Sequence, residues 1–328
     1  VILAVVGTGL AVGAPFAVGG RAVLDSLGEV APSLFLVLAG LSIISGTAKA
    51  GKLQLLLLSL GQARSFWRTL AIAFATDLAF LCSPAGAAGY AVNIGLLRNS
   101  AVPWSTATAV VGAEQALDLV FFAVAIPLAI LSAGIPLAHP LPATSESTRI
   151  ALLVIAALFV LALWRARLSA AQLIRDLAAR VPWLRARQIR IAGFIAELRA
   201  QILALSGGSI RRNFALLLLT TLQWLSRYGV LWLALKELGH AVPFGFALAL
   251  QGFVLHLALW TGIPAGGGSA DLGLAAALAP WASRPVIATA LLLWRFSTLY
   301  FPLILGILSL GALALRAQAL NLSQGLED

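Results

Sequence analysis

The chain has 328 residues, of which 61% are hydrophobic and 10% charged, with a formal net charge of +10. Soluble domains carry about 45–50% apolar and about 25% charged residues, so a water-soluble globular fold is excluded and a multi-pass membrane protein is expected. The positive charge is almost wholly arginine and falls between apolar runs, which reads as positive-inside loops rather than a nucleic-acid surface.

In chain order, Val1–Val18 is a first span, with Gly7, Gly9 and Gly13 suited to close helix contact. Gly19–Val30 reads as a loop, and Ala31–Ala48 as a second span. Lys49, Lys52, Arg64 and Arg68 then flank the apolar run Leu53–Leu60, which suggests an interfacial helix on the cytoplasmic side. Residues 66–98 hold two apolar stretches around the break Ser83-Pro84-Ala85-Gly86-Ala87-Ala88-Gly89. Trp104–Ser132 is a long span bearing Glu114 and Asp118. His139–Thr148 is a polar loop, and Ile150–Trp164 spans again. Arg165–Arg212 carries ten arginines against Asp176 and Glu197, with apolar residues at helical spacing (Ile191, Phe194, Ile195, Leu198, Ile202). It reads as amphipathic helices on an anionic leaflet. Phe214–Leu235 spans. Residues 244–280 hold a second broken pair around Pro264-Ala265-Gly266-Gly267-Gly268, and Pro285–Leu315 is the last span.

Both basic segments, 49–68 and 165–212, belong on the cytoplasmic side. An even number of crossings must join them, so 66–98 enters and leaves on one side. The predicted fold is an all-α polytopic membrane domain over 1–328, with about six full spans and two re-entrant hairpins. Residues 31–132 form a first half with hairpin 66–98. Residues 213–315 form a second half with hairpin 244–280, in inverted orientation. Broken backbone at membrane depth is tolerated only where it is buried or lines a wet cavity. The hairpin tips, Pro84, Gly86, Gly89, Pro264, Gly266, Gly267 and Gly268, are therefore candidate site residues.

Charges inside apolar segments cost about 2.5–3.5 kcal/mol or more each. Asp77, Arg98, Glu114, Asp118, Arg227, Asp271 and Arg295 are of this kind. Glu114 and Asp118 share one helix face, as do Gln223 and Arg227. The set describes either a polar cavity for a charged ligand or internal ion pairs that fix helix packing. Arg98 and Arg295 are the expected head-group ligands, because guanidinium grips phosphate with two parallel bonds. Glu114 and Asp118 are expected to hold Arg98 or to couple transport to protons or cations. The tryptophans read as interface anchors or packing, His256 as packed, and Cys82 as a small buried hydrophobe. Cys82 is the sole cysteine, and His139, His240 and His256 lack ligand spacing, so no disulfide, metal or cofactor is expected. No nucleophile–base pair is visible, so enzyme chemistry is not expected.

These residues resemble a known family. Pro84-Ala85-Gly86-Ala87-Ala88-Gly89 with Leu96-Leu97-Arg98 is similar to its first motif. Glu114-Gln115-Ala116-Leu117-Asp118 resembles its Glu-x-x-x-Asp helix. Pro264-Ala265-Gly266-Gly267-Gly268-Ser269-Ala270-Asp271 resembles its Pro-Gly-Gly-x-Gly-x-x-Glu segment, with Asp271 in place of the family's Glu and Ala265 in place of a Gly. Arg295, Tyr300, Pro302 and Gly306 are similar to its closing helix. The family is the flippase-like membrane region of lysylphosphatidylglycerol synthases, which also occurs as stand-alone proteins. The resemblance covers most of 30–312. It implies an inner-membrane lipid flippase or transporter whose partners are anionic membrane lipids, and a pairing of Asp271 with Arg295. Nothing after Leu315 in this sequence matches the aminoacyl-transferring domain, so a stand-alone form is expected. The competing readings are a scaffold for a lipid- or glycan-modifying enzyme and a membrane-embedded enzyme. A homo-oligomer is compatible with each. A cavity lined by the charges would favour transport, and charges fully paired in a dry core would favour the scaffold.

Overall fold

The computed structural model describes residues 2–132 and 188–324, and every element in them is helical. The helices are α1 (Ile2–Gly19), α2 (Ala22–Gly28), α3 (Pro32–Ser59), α4 (Phe66–Cys82), α5 (Ala87–Arg98) and α6 (Trp104–Ser132). After the gap come α7 (Gln188–Ser206), α8 (Ile210–Glu237), α9 (Phe244–Leu259), α10 (Ser269–Leu278), α11 (Arg284–Arg295) and α12 (Phe301–Gln324). The expected loop 139–148, the expected span 150–164 and the basic stretch 165–187 lie outside the described residues. Four described helical stretches are long and apolar enough to cross a bilayer: Pro32–Ser59, Trp104–Ile130, Ile210–Glu237 and Arg284–Ala319. The pair α1–α2, bent by 100°, makes a fifth if it counts as one span.

Burial is inverted relative to a soluble protein, and this places the chain in a membrane. Leu36 and Ile210 are 77% and 82% exposed, whereas Lys52 and Asp271 are both 0% exposed. Water would not tolerate an apolar shell around a charged interior, but lipid favours it. The chain is a multi-pass membrane protein.

Two expectations change here. Gly19–Val30 is not all loop, because Ala22–Gly28 forms a short helix that buries Val23. Leu53–Leu60 is not a separate interfacial helix. α3 runs unbroken for 28 residues, from Pro32 at its first position to Ser59. Nothing in that stretch breaks a helix, since its glycines are isolated and it has no internal proline. Its first half joins an apolar cluster with Leu231, Leu274 and Trp294 through Leu34 and Leu38. Its second half joins another with Ile72, Leu97 and Val110 through Leu53, Leu56 and Leu57. α3 is thus the common axle of both halves, and it packs along α8, α4 and α6.

The helices α4 and α8 start with the same device. The Ser65 and Ser209 hydroxyls accept from the backbone N–H of Arg68 and Arg212, which satisfies a free helix-start donor. α7 packs against α6 and reaches the second apolar cluster through Leu198 and Leu205. Part of the expected amphipathic face is therefore covered by protein.

The two broken pairs form as helix–turn–helix hairpins with one backbone solution. In Pro84–Gly86, Ala85 sits at φ 51°, ψ 16° and Gly86 at φ 72°. In Pro264–Gly266, Ala265 sits at φ 54°, ψ 15° and Gly266 at φ 60°. Two successive left-handed residues after a proline turn the chain sharply, and glycine supplies the second without steric cost. The two turns touch each other.

Candidate functional site: the polar interior around the hairpin tips

The first charged group lies on α3, α4 and α6. Lys49 donates to Asp77 Oδ1 at 2.5 Å, and its ammonium lies 5.2 Å from the centre of the Phe80 ring. Lys52 donates to Asp118 Oδ1 at 2.5 Å and stands 3.9 Å from Glu114 Oε1. Asp118 Oδ1 also accepts from the Trp224 indole at 2.9 Å, and Glu114 Oε2 from the Asn93 amide at 3.3 Å. Glu114 and Asp118 do share a face, and that face meets Lys52. The two lysines are corrections to the expected positive-inside loop: both are buried partners of membrane carboxylates. A sequence signal existed. Lys49 and Lys52 are three apart on one helix, so they project from one face, and three intramembrane carboxylates lacked cations nearby.

Arg98 does not join this group. It ends α5 and donates to the Val102 carbonyl of the following turn at 3.0 Å, with its guanidinium 5.2 Å from the centre of the Trp104 ring. The expectation that Glu114 and Asp118 hold Arg98 is replaced by Lys52 and Asn93. The physical reason is direction: Arg98 ends α5 five residues beyond Asn93, about 140° round the helix from the side that faces Glu114.

The second group is the tip of the second hairpin. Arg295 Nε donates to Asp271 Oδ1 at 2.8 Å and Nη2 to Asp271 Oδ2 at 2.6 Å, the bidentate geometry that suits guanidinium. Nη1 and Nη2 also donate to the Ala265 and Gly266 carbonyls at 3.0 and 3.2 Å. Asp271 Oδ2 accepts from the Gly268 backbone N–H at 2.9 Å, which caps the start of α10. The implied Asp271–Arg295 pair is present. Its extra bonds clamp the left-handed turn. Trp294 is buried, with its ring 4.5 Å from the Arg295 guanidinium, and so is no interface anchor. The tip is backed by α1: Gly267 lies so close to Gly7 that a Cβ on Gly267 would sit 2.0 Å from the Gly7 carbonyl oxygen. Gly9 and Gly13 have no such neighbour.

Arg227 lies between the two groups. It is half-buried on α8, and among the described residues no carboxylate comes within ion-pair distance of it. Nη2 donates to the Thr298 carbonyl at 3.3 Å. That carbonyl is available because of Pro302, four residues on. Proline has no N–H to close the helical bond and its ring crowds that oxygen. The chain answers with a π turn over Phe296–Tyr300. Arg227 faces two small voids. One, of about 10 Å³, is lined by Ser42, Ser45, Asp77, Ser297 and Thr298 among others. The other, of about 50 Å³, is lined by Ala265, Arg295, Trp294 and Tyr228 among others. Gln223, on the same face one turn earlier, is buried with its side-chain oxygen unpaired.

Other expectations resolve simply. Pro84 is exposed, while Gly86 and Gly89 are buried, and Gly89 lets the Phe80 ring pack on the α5 backbone. Cys82 is half-buried, not a core residue. His256 is packed: Nδ1 lies 2.6 Å from the Gly252 carbonyl and the ring meets Phe122 edge-on.

Residues 1–306 match the family described as the lysylphosphatidylglycerol synthase transmembrane region. The chain belongs to that family. It is also similar to a protein of Archaeoglobus fulgidus named UPF0104 membrane protein, 24% identical over 269 residues, which is 79% of this chain and 80% of that protein.

Proposed function

We propose that this member of the lysylphosphatidylglycerol synthase transmembrane family translocates lipids with anionic head groups between bilayer leaflets, and that Arg227 is the head-group ligand. One observation carries the reading. The buried charges Lys49, Lys52, Glu114, Asp118, Asp271 and Arg295 are each held within ion-pair distance of an opposite charge. Arg227 has only a backbone carbonyl and lines two small voids, one of them walled mainly by polar side chains. A cation held in a membrane protein without a carboxylate is ready for an anion that comes and goes.

The matching Pro-Ala-Gly turns support an inverted repeat in which two re-entrant hairpins meet at Arg227. In that arrangement the turn at Arg64 and the part of α12 that carries Arg316 face the cytoplasm, in the cell membrane, and the turn at Gly239 faces outside.

A second reading is a non-transporting scaffold for a lipid-modifying enzyme. The tightly paired charges and small voids favour it, since a dry, locked core is what a scaffold needs.

The test is reconstitution into liposomes with fluorescent phosphatidylglycerol and a membrane-impermeant quencher. The wild-type chain should expose inner-leaflet label to the quencher. Arg227→Gln should slow this roughly tenfold, and Arg227→Lys should slow it too, because one ammonium cannot reproduce the fork. Arg21→Gln should leave it unchanged. No movement by the wild-type chain favours the scaffold, and an unaffected Arg227→Gln variant removes Arg227 from the mechanism.

A further inference from the structure

A cleft of about 550 Å³ opens between the start of α4, the end of α5 and the last helix α12, away from the central charges. Leu96, Leu310 and Leu313 form its apolar wall, and Arg68, Asn99 and Arg316 its polar edge. We propose that this cleft is a binding site for an anionic phospholipid, with Arg68 and Arg316 on the phosphate and an acyl chain along the leucines.

The level of the site is that of a membrane surface. Trp67 and Trp104, 71% and 57% exposed, stand at the same end of the bundle, where tryptophan anchors to head groups. The neighbouring arginines are already occupied. Arg64 donates to the Ser100 and Ala101 carbonyls at 2.8 and 3.1 Å, and Arg98 to the Val102 carbonyl at 3.0 Å, all three in the turn that follows α5. Arg68 is left with one long bond, to the Asn99 carbonyl at 3.3 Å, and Arg316 is exposed. No carboxylate lines the cleft among the described residues. Two arginines with spare donors therefore line one cleft that holds no carboxylate among the described residues, which suits a phosphodiester of net negative charge. A zwitterionic head group would bring its own cation against them.

The apolar wall selects a lipid over free phosphate. Leu310 and Leu313 continue the surface on which Ile307 and Leu308 are exposed to the hydrocarbon, so an acyl chain can follow α12 without crossing polar surface. The site is independent of Arg227. A chain that never transports lipid could still hold one here.

The experiment uses the full chain in phosphatidylcholine bilayers with a trace of chain-labelled, spin-labelled phosphatidylglycerol. The spectrum should contain a motionally restricted fraction larger than that for spin-labelled phosphatidylcholine. Arg68→Gln with Arg316→Gln should weaken this preference roughly tenfold or more, while Arg284→Gln leaves it in place. Leu313→Trp keeps both arginines and fills the wall, so it should also release the restricted lipid, which guards against a double variant that folds poorly. Equal restriction of the two lipids by the wild-type chain overturns the proposal. So does a preference that survives both Leu313→Trp and a folded double variant.

Discussion

Arg295 and Asp271 share two parallel hydrogen bonds, 2.8 and 2.6 Å, at a point where both side chains are almost wholly buried. Either charge left alone would be costly, by about 3–5 kcal/mol. Asp271→Asn and Arg295→Gln should each lower thermal stability in detergent strongly. The double variant should recover part of the loss. A double-mutant cycle measures this, and strictly additive losses would mean the two charges are not coupled.

Lys52 serves two carboxylates, Asp118 directly and Glu114 at 3.9 Å. Lys52→Met should therefore destabilise the fold by about 3–5 kcal/mol, although methionine fits the space. Arg98→Lys should cost less than about 1 kcal/mol, because its carbonyl and ring contacts tolerate an ammonium. Thermal unfolding of the two variants side by side gives the ranking. A reversed order would place Arg98, not Lys52, in the buried network.

Gly267 and Gly7 meet backbone to backbone. Gly267→Ala should force α1 away from the tip, because its Cβ would lie 2.0 Å from the Gly7 oxygen. Gly9→Ala meets nothing within 4 Å and should be neutral or slightly stabilising through helix propensity. Disulfide cross-linking between cysteines placed at the α1–tip contact would report the separation directly.

Ala85 and Ala265 adopt left-handed backbone at φ 51° and 54°. Substituting either by Gly removes strain of about 1–2 kcal/mol and adds unfolded-state entropy of about 0.5–1 kcal/mol. The expected net effect is a gain of up to about 1.5 kcal/mol at each position. Valine at either position should be clearly destabilising. If Ala265→Gly destabilises, the turn is not held in the left-handed region.

Pro302→Ala restores an N–H opposite the Thr298 carbonyl. The π turn should relax toward an α-helix, and Arg227 should lose its acceptor to the backbone. Stability is expected to hold or rise while lipid movement slows. An unchanged transport rate would separate the π turn from the function of Arg227.

Composition and apolar run length determined that this chain lives in a bilayer, because charge at 10% cannot coat a soluble surface. The Pro-Ala-Gly repeats marked both breaks, since such residues cannot continue a helix. The acidic pair four apart was readable as one face, and the family pattern supplied the Asp271–Arg295 pair. What only the tertiary structure decided is which cation each carboxylate meets. Lys49 and Lys52 are followed by Arg64 and Arg68, so their neighbours in sequence argue for a basic cytoplasmic segment. α4 and α6 bring Asp77 and Asp118 against them from 28 and 66 residues away and draw that part of α3 into the core. The same holds for Arg227. Its sequence gives a charge on a helix face, but whether that charge is paired depends on α12, where a proline frees the Thr298 carbonyl that it takes. Local sequence sets the period and the breaks, whereas charge pairing is a property of distances between helices.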